Sequence, residues 1–387
     1  MFPRRQHVLR RGAPGALISA AVAAFLSIAA LAATPATASL VGAPPYFFGS
    51  TPSLNKADFG PLSGAYGRLK AGGATWVRFR VSWAAVESNR GKYYWPVADK
   101  FFAASACAGL DALPTFMDSP TWASGLNTAL APPQPSQYPA WRAFIRAAVA
   151  RYGVGGAFWK GGHYCADGVT PVPAAPATVW EVWNEPNVSV FWGGRTPSAP
   201  AYAQLLAVAD QAIDTSVNPG AKVVLGGLTN DAAGFLKALY TAMPELNSHF
   251  DIFDLHAYSP TPQNALTKLL GFRSVADRYG ASEKPIWVSE VGWSSCLQSG
   301  WDYPARCITN NLATDEAGQA RNLINLYTLL AGQASGLRLE RVAWYGWRDP
   351  QVAAGDCSFC YGAGLFHRDG SAKPSWAAYI TLAGGRP

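Results

Sequence analysis

Two glutamates stand at the ends of short apolar runs, and the first of them is followed by a proline. Glu185 closes the segment Trp180–Glu185 just before Pro186, and Glu290 closes the segment Ile286–Glu290. Two carboxyl groups that face each other across a sugar can cleave a glycosidic bond, one as an acid and the other as a nucleophile or base. Burial and mutual repulsion raise the pKa of one such carboxyl, so that one is protonated while the other is charged.

Eight short apolar segments predict the strands that must position these carboxyls. They are Tyr46–Gly49, Trp76–Val81, Ala112–Met117, Val179–Asn184, Lys222–Gly226, Ile252–His256, Ile286–Glu290 and Arg341–Trp347. Amphipathic or alanine-rich stretches lie between them, for example Ala140–Tyr152, Ala201–Ser216 and Asp315–Ala334. Eight strand-then-helix units favour an α/β fold of one closed (β/α)8 TIM barrel over an open sheet.

In such a barrel, Glu185 and Glu290 would end the fourth and seventh strands and meet at the C-terminal face, where barrel active sites lie. Long irregular stretches, Trp293–Thr314 and Asp349–Leu365, follow strands seven and eight and should wall that face. The length of these loops leaves open whether the enzyme acts on chain ends or within chains.

Alternation along the strands predicts which side chains share the barrel interior. Three sets alternate in this way: Arg78 with Arg80; Glu181, Trp183 and Glu185; and Asp254, His256 and Tyr258. Glu181 and Asp254 would then be buried acids. We expect both to pair with Arg78 or Arg80, because an unpaired buried charge is costly.

At this level of detail the chain resembles clan A of the glycoside hydrolases, the 4/7 superfamily. Two segments match its catalytic motifs, Trp183-Asn184-Glu185-Pro186-Asn187 and Ser289-Glu290-Val291-Gly292-Trp293. Further segments resemble its second, sixth and eighth strands: Trp76-Val77-Arg78 with Ser82-Trp83, His256-Ala257-Tyr258, and Trp344-Tyr345-Gly346-Trp347. The likeness covers nearly the whole chain after the leader and is greatest to families 39 and 5. The third strand lacks the histidine that family 5 often carries.

The resemblance implies the role of each residue. Glu185 is expected to be the acid/base and Glu290 the nucleophile of a retaining enzyme, with carboxyl groups about 5–5.5 Å apart. Asn184 is expected to bind the sugar 2-hydroxyl. The resemblance further implies that Arg78 and Tyr258 orient Glu290, that His256 lines the site, and that Trp347 forms a platform under the sugar.

Other residues that follow strand ends are weaker candidates for substrate contacts. Aromatic faces commonly bind sugars, and four more tryptophans have this placement: Trp122, Trp192, Trp293 and Trp301. Asp118 and Asp349 also come directly after strands. Each of these residues could equally be part of the packing of the barrel.

The N-terminus and the cysteines indicate an exported protein. A basic segment, an apolar stretch at Ala16–Ala33 and the small residues Ala36-Thr37-Ala38 predict a secretory signal peptide over residues 1–38. The catalytic domain would then be residues 39–387, unless the leader stays as a membrane anchor. Four arginines of the leader contribute to the net charge of +7, so the charge is weak support for nucleic-acid binding.

Six cysteines form an even set, which favours disulfides outside the cytosol. Local spacing suggests Cys296 with Cys307 and Cys357 with Cys360, which leaves Cys107 for Cys165. Cys357 and Cys360 could instead hold zinc, but no histidine stands at ligand spacing beside them.

Taken together, the sequence predicts a secreted, single-domain retaining glycosidase of carbohydrate metabolism, expected to be a monomer. It would act on oligo- or polysaccharides without a metal or organic cofactor, nucleic acid or stable membrane partner. No segment beyond the leader is apolar enough to span a bilayer. A transglycosidase that uses the same intermediate, and an inactive barrel that only binds glycans, are the two alternatives.

Overall fold

A computed structural model describes residues 40–52, 62–214, 220–350 and 357–386 of the chain. The predicted signal peptide lies outside these ranges. The described residues belong to one compact unit. Every helix within them is too short or too polar to cross a membrane.

Eight parallel strands form the centre of the fold. They are β1 (Phe48–Thr51), β2 (Trp76–Ser82), β3 (Asp111–Met117), β4 (Val179–Val182), β5 (Lys222–Leu225), β6 (Phe253–His256), β7 (Ile286–Val291) and β8 (Leu339–Tyr345). Their spatial order is β5-β4-β3-β2-β1-β8-β7-β6. Parallel bridges from Val224 to Ile252 and from Leu228 to Leu255 join the two ends of this sheet. The predicted (β/α)8 barrel is therefore confirmed.

All eight predicted strands are present, and the differences at their ends have local causes. β1 begins after Tyr46, whose φ of 62° is incompatible with an extended strand. β8 ends before Gly346, whose φ of 89° turns the chain. β4 is shorter than predicted because Trp183 has a left-handed backbone conformation, with a φ of 72°.

Helices connect the strands and cover the outside of the barrel. They are α1 (Leu62–Ala71), α2 (Trp83–Val86), α3 (Pro96–Ala108), α4 (Thr121–Ser124), α5 (Tyr138–Tyr152), α6 (Ala199–Asp214), α7 (Ala232–Ala242), α8 (Pro262–Arg278), α9 (Ala305–Ile308), α10 (Glu316–Leu337) and α11 (Pro374–Ala383). Local sequence sets several of their ends. Asp315 caps α10 by accepting from the Gly318 amide, and Thr261 caps α8 in front of Pro262.

The barrel interior changes from apolar to polar along the strands. A cluster of buried apolar residues contains Trp76, Leu113, Val224, Ile252, Trp287 and Ala343, which belong to or adjoin the N-terminal halves of their strands. Charged and polar side chains occupy the next positions on the same strands, among them Arg78, Thr115, Glu181 and Asp254. Among the described residues, this apolar layer lies on the N-terminal side of the polar groups, which is consistent with an approach to them from the C-terminal face.

All three expected cysteine pairs are disulfide-bonded in the structure: Cys107–Cys165, Cys296–Cys307 and Cys357–Cys360. Cys107 and Cys165 precede β3 and β4, so their bond lies toward the N-terminal face. The other two bonds lie in the loops that follow β7 and β8.

Candidate active site

Glu185 and Glu290 converge at the C-terminal face of the barrel. Glu185 follows β4 and Glu290 belongs to β7. One carboxylate oxygen of each, together with a ring nitrogen of His256, forms a group whose atoms all lie within 4.8 Å of one another. This spacing suits two carboxyls that act on the same anomeric carbon in a retaining reaction, where the groups are about 5–5.5 Å apart.

An irregular turn after β4 presents Glu185. Trp183 and Glu185 both have positive φ angles, 72° and 40°, which are unusual for residues with side chains. The turn breaks the alternation expected from the sequence. The indole of Trp183 contacts Trp141 of α5 at a centroid distance of 6.2 Å, outside the barrel. The expectation that Trp183 shares the interior with Glu181 is therefore wrong, because alternation stops at Val182.

Two side chains from nearby segments hold this turn in place. The Asn187 amide donates to the Thr229 carbonyl at 2.5 Å and accepts from the Thr229 amide at 3.2 Å. The Trp192 indole donates to the Pro186 carbonyl at 2.7 Å. These bonds fix the backbone on the C-terminal side of Glu185, which is consistent with the strained conformation there.

Arg78 is the buried centre of the site. Its Nε and one terminal nitrogen donate to the Glu181 carboxylate at 2.5 and 2.9 Å. The other terminal nitrogen donates to Glu290 Oε1 at 2.6 Å, and a further bond of 2.7 Å reaches Asn184 Oδ1. A planar guanidinium can hold three such partners at once. Arg78 thereby fixes Asn184 and Glu290 relative to each other.

Glu181 pairs with Arg78 as expected. Its carboxylate also accepts from the Thr115 hydroxyl at 2.6 Å and from the Gly227 amide at 3.1 Å. Burial acts to raise the pKa of Glu181, but Arg78 and Thr115 outweigh burial, so the pKa is lower than usual. Glu181 is thus a permanent anion that balances the buried Arg78 charge.

The pairing expected for Asp254 is wrong. Among the described residues, no arginine pairs with Asp254; its carboxylate instead accepts from the Ser289 amide at 2.9 Å and the Ser289 hydroxyl at 2.5 Å. Arg80 pairs with Asp118 at 3.1 Å, above the Arg78 layer. The reason is geometric, because Arg78 already satisfies Glu181 and Glu290 and Arg80 lies one layer closer to the mouth.

Tyr258 and His256 complete the contacts of the two glutamates. The Tyr258 hydroxyl donates to Glu290 Oε2 at 2.8 Å. His256 Nδ1 lies 2.8 Å from Glu185 Oε1 and 3.5 Å from Glu290 Oε2. The structure therefore brings together six residues that the sequence pointed to: Arg78, Asn184, Glu185, His256, Tyr258 and Glu290.

The surroundings of the two glutamates differ in charge. Glu290 accepts hydrogen bonds from the Arg78 cation at 2.6 Å and from the Tyr258 hydroxyl at 2.8 Å. Glu185 makes no ion pair with an arginine or lysine among the described residues, and burial raises its pKa to about 7 although Arg78 and Lys268 act to lower it. Burial lowers the pKa of His256 to about 4, so its ring is neutral near pH 7.

Two tryptophans expected at the site are buried. Trp347 is 5% exposed and packs against Phe366 and Trp376 at centroid distances of 4.4 and 5.5 Å. Trp293 is 1% exposed and donates to the Pro260 carbonyl. Neither ring offers an open face to a sugar. For Trp347 the cause is the turn at Gly346, which directs its ring into the layer between barrel and helices. The burial of Trp347 argues against the platform role expected for it.

The aromatic residue of β8 that reaches the cluster is Tyr345. Its ring lies 6.1 Å from Tyr258 and 5.6 Å from Phe359. Asp349, a weaker candidate, is buried in an ion pair with Lys373 rather than exposed to the mouth. Trp122 and Trp301 are partly exposed, with Trp301 stacked on His367 at 4.1 Å.

Two groups of carboxylates and His256 have donor atoms close enough to suggest a metal ion. One is Glu185, His256 and Glu290, and the other is Glu181, Asp254 and His256. The carboxylates already accept bonds from Arg78, Tyr258 and Ser289. We interpret both groups as parts of one hydrogen-bonded network, with Arg78 as its cation.

Sequence reasoning assigned no role of their own to two members of this network, Thr115 and Ser289. Ser289 lies inside a segment that matched a catalytic motif, directly before Glu290. Thr115 lies opposite Glu181 in the register of β3 and β4, which only the structure shows. The contact of Ser289 with His256, at 3.1 Å, depends on the irregular register between β6 and β7 and has no sequence signal.

Comparisons with known proteins agree with this geometry. A family model described as glycosyl hydrolase family 53 matches residues 173–379, just over half of the chain. This region contains Glu185 and Glu290, and the match confirms the expected resemblance to clan A glycoside hydrolases. No curated protein matches the sequence.

Solved structures share the fold at low sequence identity. A family 39 glycoside hydrolase from the gut symbiont Bacteroides cellulosilyticus is 21% identical, with a TM-score of 0.63 over 88% of this chain. A glucosidase from Croceicoccus marinus is 16% identical, with a TM-score of 0.62 over 90% of this chain and 69% of its own. A family 5, subfamily 18 enzyme from Bifidobacterium longum is 15% identical, with a TM-score of 0.60 over 87% and 78%. The chain spans 64% of the length of the family 39 structure.

Proposed function

Since this chain belongs to glycosyl hydrolase family 53, we propose that it hydrolyses O-glycosidic bonds of oligo- or polysaccharides with retention of anomeric configuration. One observation carries the proposal: Glu185, which follows β4, and Glu290 of β7 place carboxylate oxygens within 4.8 Å of each other in unlike surroundings. The different surroundings allow one carboxyl to be an acid while the other is an anion.

In this proposal Glu290 is the nucleophile. Its oxygen attacks the anomeric carbon, and the bond from that carbon to the leaving oxygen breaks as a covalent glycosyl-enzyme forms. Arg78 and Tyr258 support this role because both donate to the Glu290 carboxylate and hold it in one orientation.

Glu185 is the proposed acid/base. It gives its proton to the leaving oxygen in the first step, and its carboxylate then takes a proton from the water that attacks the intermediate. A pKa of about 7, raised by burial, supports this role because the group can both give up and regain a proton near neutral pH. Asn184 is the proposed ligand of a sugar hydroxyl, which the bond from Arg78 to its side-chain oxygen supports because that bond holds the side chain in one orientation.

Export from the cell is part of the proposal. Three disulfide bonds in the structure support it, since disulfides persist outside the cytosol. The measurement is mass spectrometry of the protein from the culture medium of its producing cells. A mature N-terminus near residue 39 is expected, and an intact leader in the membrane fraction would contradict it.

A substrate screen tests the catalytic proposal. Wild-type protein should hydrolyse at least one member of a panel of 4-nitrophenyl glycosides, xylan, glucan, mannan, galactan and arabinan. Glu290→Gln should lose roughly three or more orders of magnitude of that activity. Hydrolysis that survives in Glu290→Gln would contradict the mechanism, and binding without hydrolysis by wild type would favour a glycan-binding barrel.

Product analysis separates hydrolysis from transglycosylation. Nuclear magnetic resonance of the first product should show the anomeric configuration of the substrate. With excess acceptor sugar, hydrolysis should remain the main reaction. Predominant formation of longer oligosaccharides would instead identify a transglycosidase.

A further inference from the structure

A continuous chain of hydrogen bonds connects Glu185 to a second acid inside the barrel. Asp254 Oδ2 lies 2.5 Å from the Ser289 hydroxyl, which lies 3.1 Å from His256 Nε2. His256 Nδ1 on the other side of the ring lies 2.8 Å from Glu185 Oε1. Asp254, His256 and Ser289 are completely buried, so water does not compete for these bonds.

The donors in this chain can be assigned from Asp254 outward. The Ser289 amide donates to one Asp254 oxygen and the Ser289 hydroxyl donates to the other, so that both oxygens of this side chain accept a hydrogen bond. The Ser289 hydroxyl has one proton, and this proton forms the hydrogen bond to Asp254. Its oxygen must then accept from His256 Nε2–H.

The assignment continues through the imidazole. A neutral histidine with a proton on Nε2 has only a lone pair on Nδ1. Nδ1 can form its 2.8 Å bond with Glu185 only if Glu185 supplies the proton. Glu290 Oε2 is the other carboxylate oxygen near Nδ1, at 3.5 Å, and it already accepts from Tyr258.

We propose that Asp254, acting through Ser289, is a positioning residue that holds His256 as the Nε2–H tautomer and so keeps the proton on Glu185. This inference rests on the proposed acid/base role of Glu185. When a glycosidic oxygen takes the proton, the Glu185 O–H bond breaks and an O–H bond to the leaving group forms. The hydrogen bond from Glu185 to His256 is lost in the same step.

The charged groups around His256 are compatible with a neutral ring. Burial lowers its pKa most, while Glu290 and Glu181 favour the protonated form and Arg78 and Lys268 oppose it. Burial and then Glu181 raise the pKa of Asp254 well above its usual value, although Arg78 and the two bonds from Ser289 act to lower it.

Replacing Asp254 by asparagine should reverse the chain. The oxygen of the new side-chain amide would still accept from the Ser289 backbone amide, but its NH2 group would donate to the Ser289 hydroxyl. That hydroxyl must then donate to His256 Nε2, which moves the ring proton to Nδ1. Nδ1–H would donate to Glu185 and stabilise its carboxylate, so Asp254→Asn should lower the pKa of Glu185.

Nitrogen-15 magnetic resonance of labelled histidines tests the tautomer directly and needs no substrate. The His256 signal is assigned by its loss in His256→Gln. At pH 6 wild type should show Nε2–H, and Asp254→Asn should show Nδ1–H. Asp251→Asn, just before β6 at the opposite face, is the matched control and should leave wild-type signals. An Nδ1–H ring in wild type, or no change in Asp254→Asn, would overturn the proposal.

Ser289→Ala gives a second route if Asp254→Asn does not fold. Without the Ser289 hydroxyl the His256 ring should no longer be held in one tautomer, so that an Nδ1–H signal appears beside the Nε2–H signal. A ring that remains entirely Nε2–H in Ser289→Ala would show that Asp254 does not act through this serine.

The pH profile of kcat/KM supplies the link to Glu185, with the 4-nitrophenyl glycoside that wild type cleaves. Asp254→Asn should move the alkaline limb to lower pH by about one unit. In a Ser289→Ala background the same substitution should move it little. A tautomer change without a moved limb would refute the effect on Glu185. Absence of hydrolysis in wild type would refute the proposed function, while the tautomer measurement still decides this inference.

Discussion

At the scale of single residues, the two glutamates differ because of what touches them and not because of their own chemistry. Glu290 accepts hydrogen bonds from Arg78 and Tyr258, whereas the hydrogen-bond partner of Glu185 is the neutral imidazole of His256. Charged and hydrogen-bonding neighbours favour a carboxylate, and burial without a cation favours the protonated acid. The proposed division into acid and nucleophile therefore depends on the environment of each carboxyl group.

The raised pKa of Glu185 predicts the alkaline side of the pH profile. The first step needs a protonated Glu185, so kcat/KM should fall as pH rises through about 7. The limb should be absent in Glu185→Gln for substrates whose leaving group needs no protonation. A wild-type profile that stays flat to pH 9 would contradict the assigned acid.

Arg78→Lys tests the buried guanidinium. Lysine keeps the charge but cannot hold Glu181, Asn184 and Glu290 at once. We expect kcat to fall on the order of 100-fold, equivalent to about 2.7 kcal/mol. Arg80→Lys is the matched control, because Arg80 pairs only with Asp118 among the ion pairs of the described residues. Equal losses in both variants would show that Arg78 has no special role.

At the scale of elements, a buried ion pair between two residues that follow β8 is hydrogen-bonded to the loop after β7. Lys373 Nζ donates to Asp349 at 2.8 Å, to Ser295 at 2.9 Å and to the Gly362 carbonyl at 2.9 Å. The Tyr303 hydroxyl donates to the other oxygen of Asp349 at 2.8 Å. Burial acts against both charges, raising the pKa of Asp349 and lowering that of Lys373.

Breaking this pair on one side should destabilise the fold. Lys373→Met leaves the buried Asp349 without its cation and should reduce the free energy of unfolding by about 3–5 kcal/mol. The double variant Lys373→Met/Asp349→Leu should lose less, since no uncompensated charge remains.

Urea denaturation measures both changes. Arg338→Met is the control, because the Arg338–Glu283 ion pair is exposed and should contribute less than about 1 kcal/mol. A double variant that is less stable than Lys373→Met would contradict a penalty from the unpaired charge.

At the scale of the whole molecule, the two faces of the barrel have different tasks. The site lies at the C-terminal ends of the strands, and Cys107–Cys165 joins segments that precede β3 and β4 at the other end. Stability contributed at that face can change without moving the catalytic groups, as is typical of this architecture.

Removing single disulfides tests this separation. The 58-residue separation of Cys107 and Cys165 predicts that Cys107→Ala/Cys165→Ala loses about 4 kcal/mol of stability, because the unfolded chain gains entropy. Cys357→Ala/Cys360→Ala, with a separation of 3, should lose about 2 kcal/mol. At 25 °C the first variant should keep wild-type kcat. A fall in kcat with the fold intact would show that the two faces are coupled.

The sequence by itself determined the barrel and the two catalytic candidates, because both depend on local patterns. Eight apolar runs between amphipathic stretches can bury their side chains as (β/α)8 units, and a glutamate at the end of such a run falls at the C-terminal face. The cysteine pairs also followed, since two of them are close in the chain.

Only the tertiary structure decided the second layer of contacts. Trp183 does not face the barrel interior, and Trp347 does not have the open ring face expected of a sugar platform, because positive φ angles at Trp183 and Gly346 turn the chain at these points. Asp254 accepts hydrogen bonds from Ser289 instead of pairing with an arginine, because β6 and β7 pair with an irregular register. The packing of the whole barrel determines such backbone irregularities, so the periodicity of the sequence does not predict them.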